Sequence, residues 1–408
     1  MLKEITNKFY IKLAYIFISL CFATALSDFN GFTYLNKIVL LIGLLYIGIN
    51  FIDVIFFRKR KLFFFEIFLY LFLLLTLYLN FTQYKLNENL KIWLVNLMIT
   101  TVIFSIDTYK SKEKLIKEID FISYFYVFFT SILSSVSLFM IFTNKMITYN
   151  LVINNNTIVE YYKGLFKNEN AFGIAAILSF MISLYLIYKV KNTYLKYFLI
   201  FNLVIQFISL LVSNARSAYF PFLALIFIFL VYKFKNIYIR ITLVIIPTIL
   251  SIIGFFTLPE NILHKILTSR EYLWLSAINM LKVYPLIGVG SVNKVGRLND
   301  YRVAYLQGLD AGGLHNIFFE TACINGIPAM ILFSLFIIFM IVFFIKKLDS
   351  FSYKDKIQYS FLFALILGIV LINLLESSLL YIISFISIIF WIYSGYLIAI
   401  FDKNKSHN

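Results

Sequence analysis

Long apolar runs separated by short basic turns set the plan of this chain. Runs long enough to form membrane-crossing helices fall near 10–27, 36–57, 62–82, 92–107, 119–143, 171–190, 196–213, 217–232, 240–258, 315–345, 357–375 and 378–400. The pattern predicts an all-α polytopic membrane protein of about twelve transmembrane helices, a single integral membrane domain over 1–408. Two connections are long, 144–170 and 259–314, the second lying before helix ten. Within the second, Leu263, Leu267, Trp274, Ala277, Ile278 and Leu281 recur at helical spacing, with Lys265, Ser269, Tyr272, Ser276 and Asn279 on the other face. This large loop is therefore expected to be partly helical, its apolar stripe lying against protein or the membrane interface.

Basic residues orient the bundle. The turns that share a side with the N-terminus hold 23 of the 36 lysines and arginines, among them Lys8, Lys12, Arg58, Lys61, Lys110, Lys189, Arg240, Lys346 and Lys403. By the positive-inside bias both termini are cytoplasmic and the two long loops face outward, in a bacterial cytoplasmic (inner) membrane. Composition agrees: 62% of the 408 residues are hydrophobic and 14% charged, far from a soluble domain. A net charge of +16 raises nucleic acid as a partner, but the charges sit in short runs between apolar segments and serve topology, so none is expected. The N-terminus mimics a signal peptide, ending at Ala23-Thr24-Ala25; with eleven further apolar segments after it, it reads as a retained helix. Cys21 and Cys323 suggest neither a disulfide framework nor a metal site.

The chemistry collects on the outward side. Of three histidines, His407 lies in the tail, leaving His264 and His315 as the near-neutral proton carriers of the body. His315-Asn316 follows Gly312-Gly313 and opens an apolar helix, with Glu320 one turn on; a capped helix start is the plain alternative. Arg216 is the one basic residue in the turn Ser213–Ser217, where the charge bias disfavours it. It is either a helix-end anchor or a ligand for an anion at membrane depth. Arg270 falls on the apolar stripe and needs an anionic partner, because an unpaired buried charge is costly. That partner is either a carboxylate such as Glu320 or Glu376, or the oxygens of a phosphate, which a guanidinium grips in bidentate fashion. Histidine beside arginines on this side points to a phosphate-linked substrate. The segment Gly164–Gly173 adds backbone amides and Lys167.

Other chemistries find no support. The sequence has no zinc-ligand spacing, no outward Asp-x-Asp pair for magnesium, no G-x-S-x-G elbow and no phosphate-binding P-loop. No cofactor and no metal are expected, and ATP-driven transport by this chain alone is disfavoured. A lipid-glycan flippase or exporter would want charges along its helices; those read as mid-helix are only Asp53, Glu66 and Glu376.

Four segments in order resemble the bacterial O-antigen ligase and oligosaccharide repeat-unit polymerase superfamily. They are GLFKNENAFG (Gly164–Gly173), SNARSA (Ser213–Ala218), SREYLWLSAINMLKVYPLIGVG (Ser269–Gly290) and GGLHNIFFETACINGIPAMILF (Gly312–Phe333). In the last, Ala329 stands where the family pattern has a glycine. The resemblance implies a glycosyltransferase whose donor glycan is carried on undecaprenyl diphosphate in the outer leaflet of the membrane lipid. His315 would be the general base on the acceptor hydroxyl, with Arg216 and Arg270 holding the diphosphate as charge develops on it. Lys167, Asn168, Asn170, Asn316, Glu320 and Trp274 would line the substrate site. Transfer would be metal-independent and inverting. Polymerases extend lipid-linked repeat units into O-antigen or capsule, with a polysaccharide chain-length regulator as partner. Ligases pass glycan to a lipid A core or a protein. Polymerase is the preferred reading, being the more diverse class.

Overall fold

The structure, a computed structural model, describes residues 7–52, 61–143, 148–153, 157–306 and 313–404. Asp53, Gly312 and His407 lie outside them. The described residues form fifteen α-helices and one short hairpin.

The first five helices are α1 (Phe9–Phe22), α2 (Asn30–Ile52), α3 (Phe64–Leu79), α4 (Asn87–Met98) and α5 (Lys112–Phe142). π-turns extend α3 over Asn80–Tyr84 and α4 over Ile99–Ile103. Strands β1 (Thr148–Ile153) and β2 (Thr157–Tyr162) pair antiparallel inside the first long loop, which the apolar pattern left without structure. Next come α6 (Glu169–Lys189), α7 (Thr193–Ser213), a 3-10 turn at Arg216–Tyr219, α8 (Phe220–Lys233) and α9 (Ile237–Thr257). The large loop holds α10 (Glu260–Leu267), α11 (Arg270–Val283) and α12 (Lys294–Asp300). The chain closes with α13 (Ile317–Leu348), α14 (Tyr353–Ile372) and α15 (Phe385–Asp402).

Each of the twelve apolar runs contains a helix among the described residues, and ten of these segments are long and apolar enough to cross a membrane. The remaining two are α1, at 14 residues, and α4 with its π-turn. The chain is thus a polytopic integral membrane protein. Helix α15 is the axis, buried from Phe385 to Phe401. Helices α14 and α6 lie against the interior, α6 beside α5, α7 and α14, and α14 beside α8. At the periphery, α9 has no buried residue.

With lipid-like surroundings on most faces, apolar burial alone does not specify which helices pair; small and polar contacts do. A buried chain of such contacts joins α5, α6 and α7. Asn202 donates to Ser179 Oγ at 3.2 Å and to Ser183 Oγ at 2.9 Å, and accepts from Gln206 Nε2 at 2.9 Å. Ser134 donates to Gln206 Oε1 at 2.9 Å, and Thr130 to Ser179 at 2.7 Å. Replacing Asn202 with leucine strands these groups and is expected to destabilise the fold by about 1–3 kcal/mol. The check is the thermal midpoint of the solubilised protein; an unchanged midpoint would deny the network a stabilising role.

The two ends of the bundle carry different features. At one end Lys110 pairs with Asp107 (3.0 Å) and Glu118 (2.8 Å), Arg240 pairs with Asp349 (2.7 Å), and Lys61 pairs with Asp402. The opposite end carries the hairpin, α10–α12 and the irregular segment 373–384 between α14 and α15.

Two expectations change here. The large loop does not hold one amphipathic helix from Leu263 to Leu281. Thr268 (φ 53°) and Ser269 (φ 67°) adopt the left-handed conformation and break it into α10 and α11. Nor are Glu66 and Glu376 mid-helix charges. Glu66 sits in the first turn of α3 and accepts a 3.0 Å bond from Phe63 N. Glu376 lies beyond the end of α14.

Candidate active site

The site is built by loops held against broken helices. Helix α13 is interrupted at Gly326 (φ 84°), two residues before Pro328, which has no N–H to offer the preceding turn. Carbonyls freed by this break are satisfied by the loop after α11. Val289 N donates to Cys323 O and Gly290 N to Ile324 O, both at 2.9 Å, and Ile327 N donates to Pro285 O at 2.8 Å. At membrane depth such backbone needs internal partners. The contact is so close that a Cβ on Gly288 would overlap the Ile324 carbonyl and one on Gly326 the Leu286 carbonyl. This is the physical content of the Pro-Leu-Ile-Gly-Val-Gly stretch: it docks α11 onto α13.

The peptide around His315 is held on every side. His315 itself is left-handed (φ 48°). Before it, Leu314 N donates to Glu320 Oε2 at 2.9 Å, and Leu314 O accepts from Trp274 Nε1 at 3.0 Å. Glu320 is paired in turn with Lys294. After it, Asn316 caps α13, its Oδ1 accepting from Phe318 N (3.0 Å) and Phe319 N (3.1 Å). Asn316 N donates to Ser377 Oγ (2.9 Å), Asn316 Nδ2 to Leu374 O (3.1 Å), and Ile317 N to Asn373 O (3.0 Å). These bonds tie the segment to residues 373–378 and so bring Glu376 to His315.

Glu376 is the centre of the cluster. Its Oε1 accepts from Arg270 Nη2 at 3.2 Å and from Asn170 Nδ2 at 3.3 Å. Its Oε2 lies 3.3 Å from His315 Nδ1. A carboxylate accepts, so Nδ1 carries the hydrogen and Nε2 is the free ring atom. The side chains of His315, Glu376 and Arg270 are 21%, 15% and 14% exposed, open to a ligand yet largely desolvated.

Arg270 begins α11, directly after the left-handed turn, and its other donors remain beside the one on Glu376. Arg216 follows Asn214, which ends α7 in the left-handed conformation (φ 54°). Its exposed guanidinium donates to the Lys265 carbonyl of α10 at 2.6 Å. Gly173 lets α6 approach this hinge, since a Cβ there would crowd Ala215 and Ser213.

The remaining expected site residues divide. Asn170 joins the cluster. Asn168 caps α6, accepting from Ala171 N at 2.7 Å, and Lys167 is exposed with its Nζ 5.9 Å from the Phe22 ring. Trp274, Glu320 and Asn316 were expected to line the substrate; their polar atoms are engaged with the chain itself, and they hold the His315 peptide. Glu376 appeared in the sequence only as a partner for Arg270 or a mid-helix charge, and Lys294 not at all. The signal for Glu376 was its chemistry, an acidic residue in an otherwise apolar stretch.

Fold and cluster together define a polytopic integral membrane protein with a histidine–carboxylate–arginine site at one end of its helices. Residues 201–334, from α7 into α13, match the model of the family described as O-antigen ligase. This match supports the O-antigen ligase and polymerase superfamily, whose enzymes act on lipid-linked glycans in membranes. It takes in Arg216, Arg270, Trp274, His315, Asn316 and Glu320, while Asn170 and Glu376 lie outside it. A comparison with curated proteins finds no match.

Proposed function

We propose that the chain is a glycosyltransferase that polymerises undecaprenyl-diphosphate-linked repeat units into surface polysaccharide on the outer leaflet of the bacterial cytoplasmic membrane. The observation that carries this reading is the His315–Glu376–Arg270 cluster at the end of the bundle opposite the Lys61, Lys110 and Arg240 ion pairs. With the lysine- and arginine-rich turns of that end cytoplasmic, both termini lie inside and the cluster faces the outer leaflet.

In this reading the acceptor hydroxyl gives its proton to His315 Nε2 while its oxygen attacks the anomeric carbon. Glu376 orients the imidazole and stabilises the charge it gains. The bond from the anomeric carbon to the diphosphate oxygen breaks, its electron pair leaving with the diphosphate. Arg270 and Arg216 hold that group, their fixed charges matching what develops on it. Attack opposite the leaving group inverts the anomeric centre.

The test is turnover of purified enzyme with lipid-diphosphate-linked repeat units. A ladder of lengthening glycans that persists in excess EDTA is the expected result, because guanidiniums rather than a divalent ion neutralise the diphosphate. A single transfer to a lipid A core or protein would make the chain a ligase. Strict dependence on added magnesium or manganese would overturn the arginine clamp.

A further inference from the structure

Among the described residues, the reaction above leaves one imidazole without a role, His264 on α10. Its setting repeats that of His315. Nδ1 of His264 lies 2.7 Å from Glu271 Oε1, so here too a carboxylate takes Nδ1 and Nε2 is the free atom. The Glu271 side chain is 2% exposed, and its Oε2 has no partner among the described residues; the His264 side chain is 44% exposed. A buried carboxylate thus aims an accessible ring. The pair adjoins the proposed phosphate ligands along the chain. The next residue, Lys265, receives Arg216 Nη1 on its carbonyl at 2.6 Å, and Glu271 directly follows Arg270. The other groups facing the imidazole are Tyr272, whose ring centre is 5.8 Å away, and Glu260, which accepts the Tyr272 hydroxyl at 2.7 Å. That bond raises the Tyr272 pKa above its ordinary value and keeps the hydroxyl protonated.

We infer that His264 is a second proton carrier of the reaction, contacting the diphosphate as it departs. The inference rests on the proposed transfer. In its imidazolium form, Nε2–H donates to a terminal oxygen of the leaving diphosphate and passes its proton there. His315 meanwhile receives the proton of the acceptor hydroxyl. Both rings return to their starting forms by exchange with water, so the net change moves one proton from acceptor to diphosphate. The alternative is a staple: the pair closes the left-handed turn at Thr268 and Ser269 and supports α10 alone.

Binding of farnesyl diphosphate, a short polyprenyl diphosphate, separates the two. The background is His315→Gln, which removes the other imidazole. There, affinity is expected to rise about tenfold between about pH 8 and about pH 6, the worth of one charge-assisted hydrogen bond. Adding His264→Gln should remove that rise, and His264→Lys should bind tightly at both pH values. A His264→Gln protein that keeps the full rise, or a folded His264→Lys protein that binds no better than His264→Gln, would overturn the inference. So would loss of folding in both variants, which assigns the pair to structure. Arg216→Ala and Arg270→Ala report on the underlying function separately. If neither weakens binding at either pH, the diphosphate clamp itself fails. If both weaken it while His264→Gln keeps the rise, only the role of His264 falls.

Discussion

His315→Ala is expected to lower glycan transfer by about 100- to 10,000-fold while the protein still folds and inserts, the usual loss when a general base is removed. The residue's backbone makes the choice of control important. His315 is left-handed, a conformation that costs most side chains about 1–2 kcal/mol and that asparagine tolerates better. His315→Asn therefore keeps the local backbone, offers no atom able to take the acceptor's proton, and should be equally inactive. The measurement is glycan elongation at matched membrane levels of each variant. Normal elongation by His315→Ala would remove this residue from the chemistry.

How much of this was legible in the sequence depends on the kind of interaction. The membrane helices were, because each is a local apolar run whose length the bilayer fixes. Ten of the twelve expected spans appear among the described residues, while α1 and α4 are helical but too short. Breaks were harder. A left-handed Thr268–Ser269 pair carries no composition signal, so one amphipathic helix was expected where two exist. The break in α13 was written in Gly326 and Pro328, yet what satisfies the freed carbonyls comes from residues 285–290, about forty positions earlier. The site divides the same way. His315, Arg216 and Arg270 stood out because polar residues are rare in such a chain. Glu376 stood out for that reason too, but only the docking of residues 373–378 on Asn316 and Ile317 puts it against His315. Trp274 and Glu320 enter as substrate contacts through the family resemblance. Their engagement with the two backbone groups of Leu314 is a relation across the fold that no spacing encodes.

Arg270→Ala is expected to reduce transfer by about 100- to 1000-fold, the scale seen when one preorganised donor to a developing anion is lost. Arg270→Lys should be partly active: it keeps the charge but not the planar fork. The pairing of Arg270 with Glu376 supplies a competing account, in which the arginine only neutralises a partly buried carboxylate. The double variant Arg270→Ala/Glu376→Gln decides between them. Glutamine carries no charge and retains one acceptor oxygen, for either Asn170 or the His315 ring, so a purely structural arginine becomes dispensable beside it. Protein level and binding of a polyprenyl diphosphate would then recover together, while transfer stays low in either case because Glu376 also orients His315. If the arginine grips the diphosphate, the double variant recovers protein level but binding of a polyprenyl diphosphate stays weak. Arg216→Ala, which has no carboxylate partner among the described residues and only the Lys265 carbonyl to lose, should show the same loss of activity without a folding defect. Full activity of both alanine variants would sink the clamp.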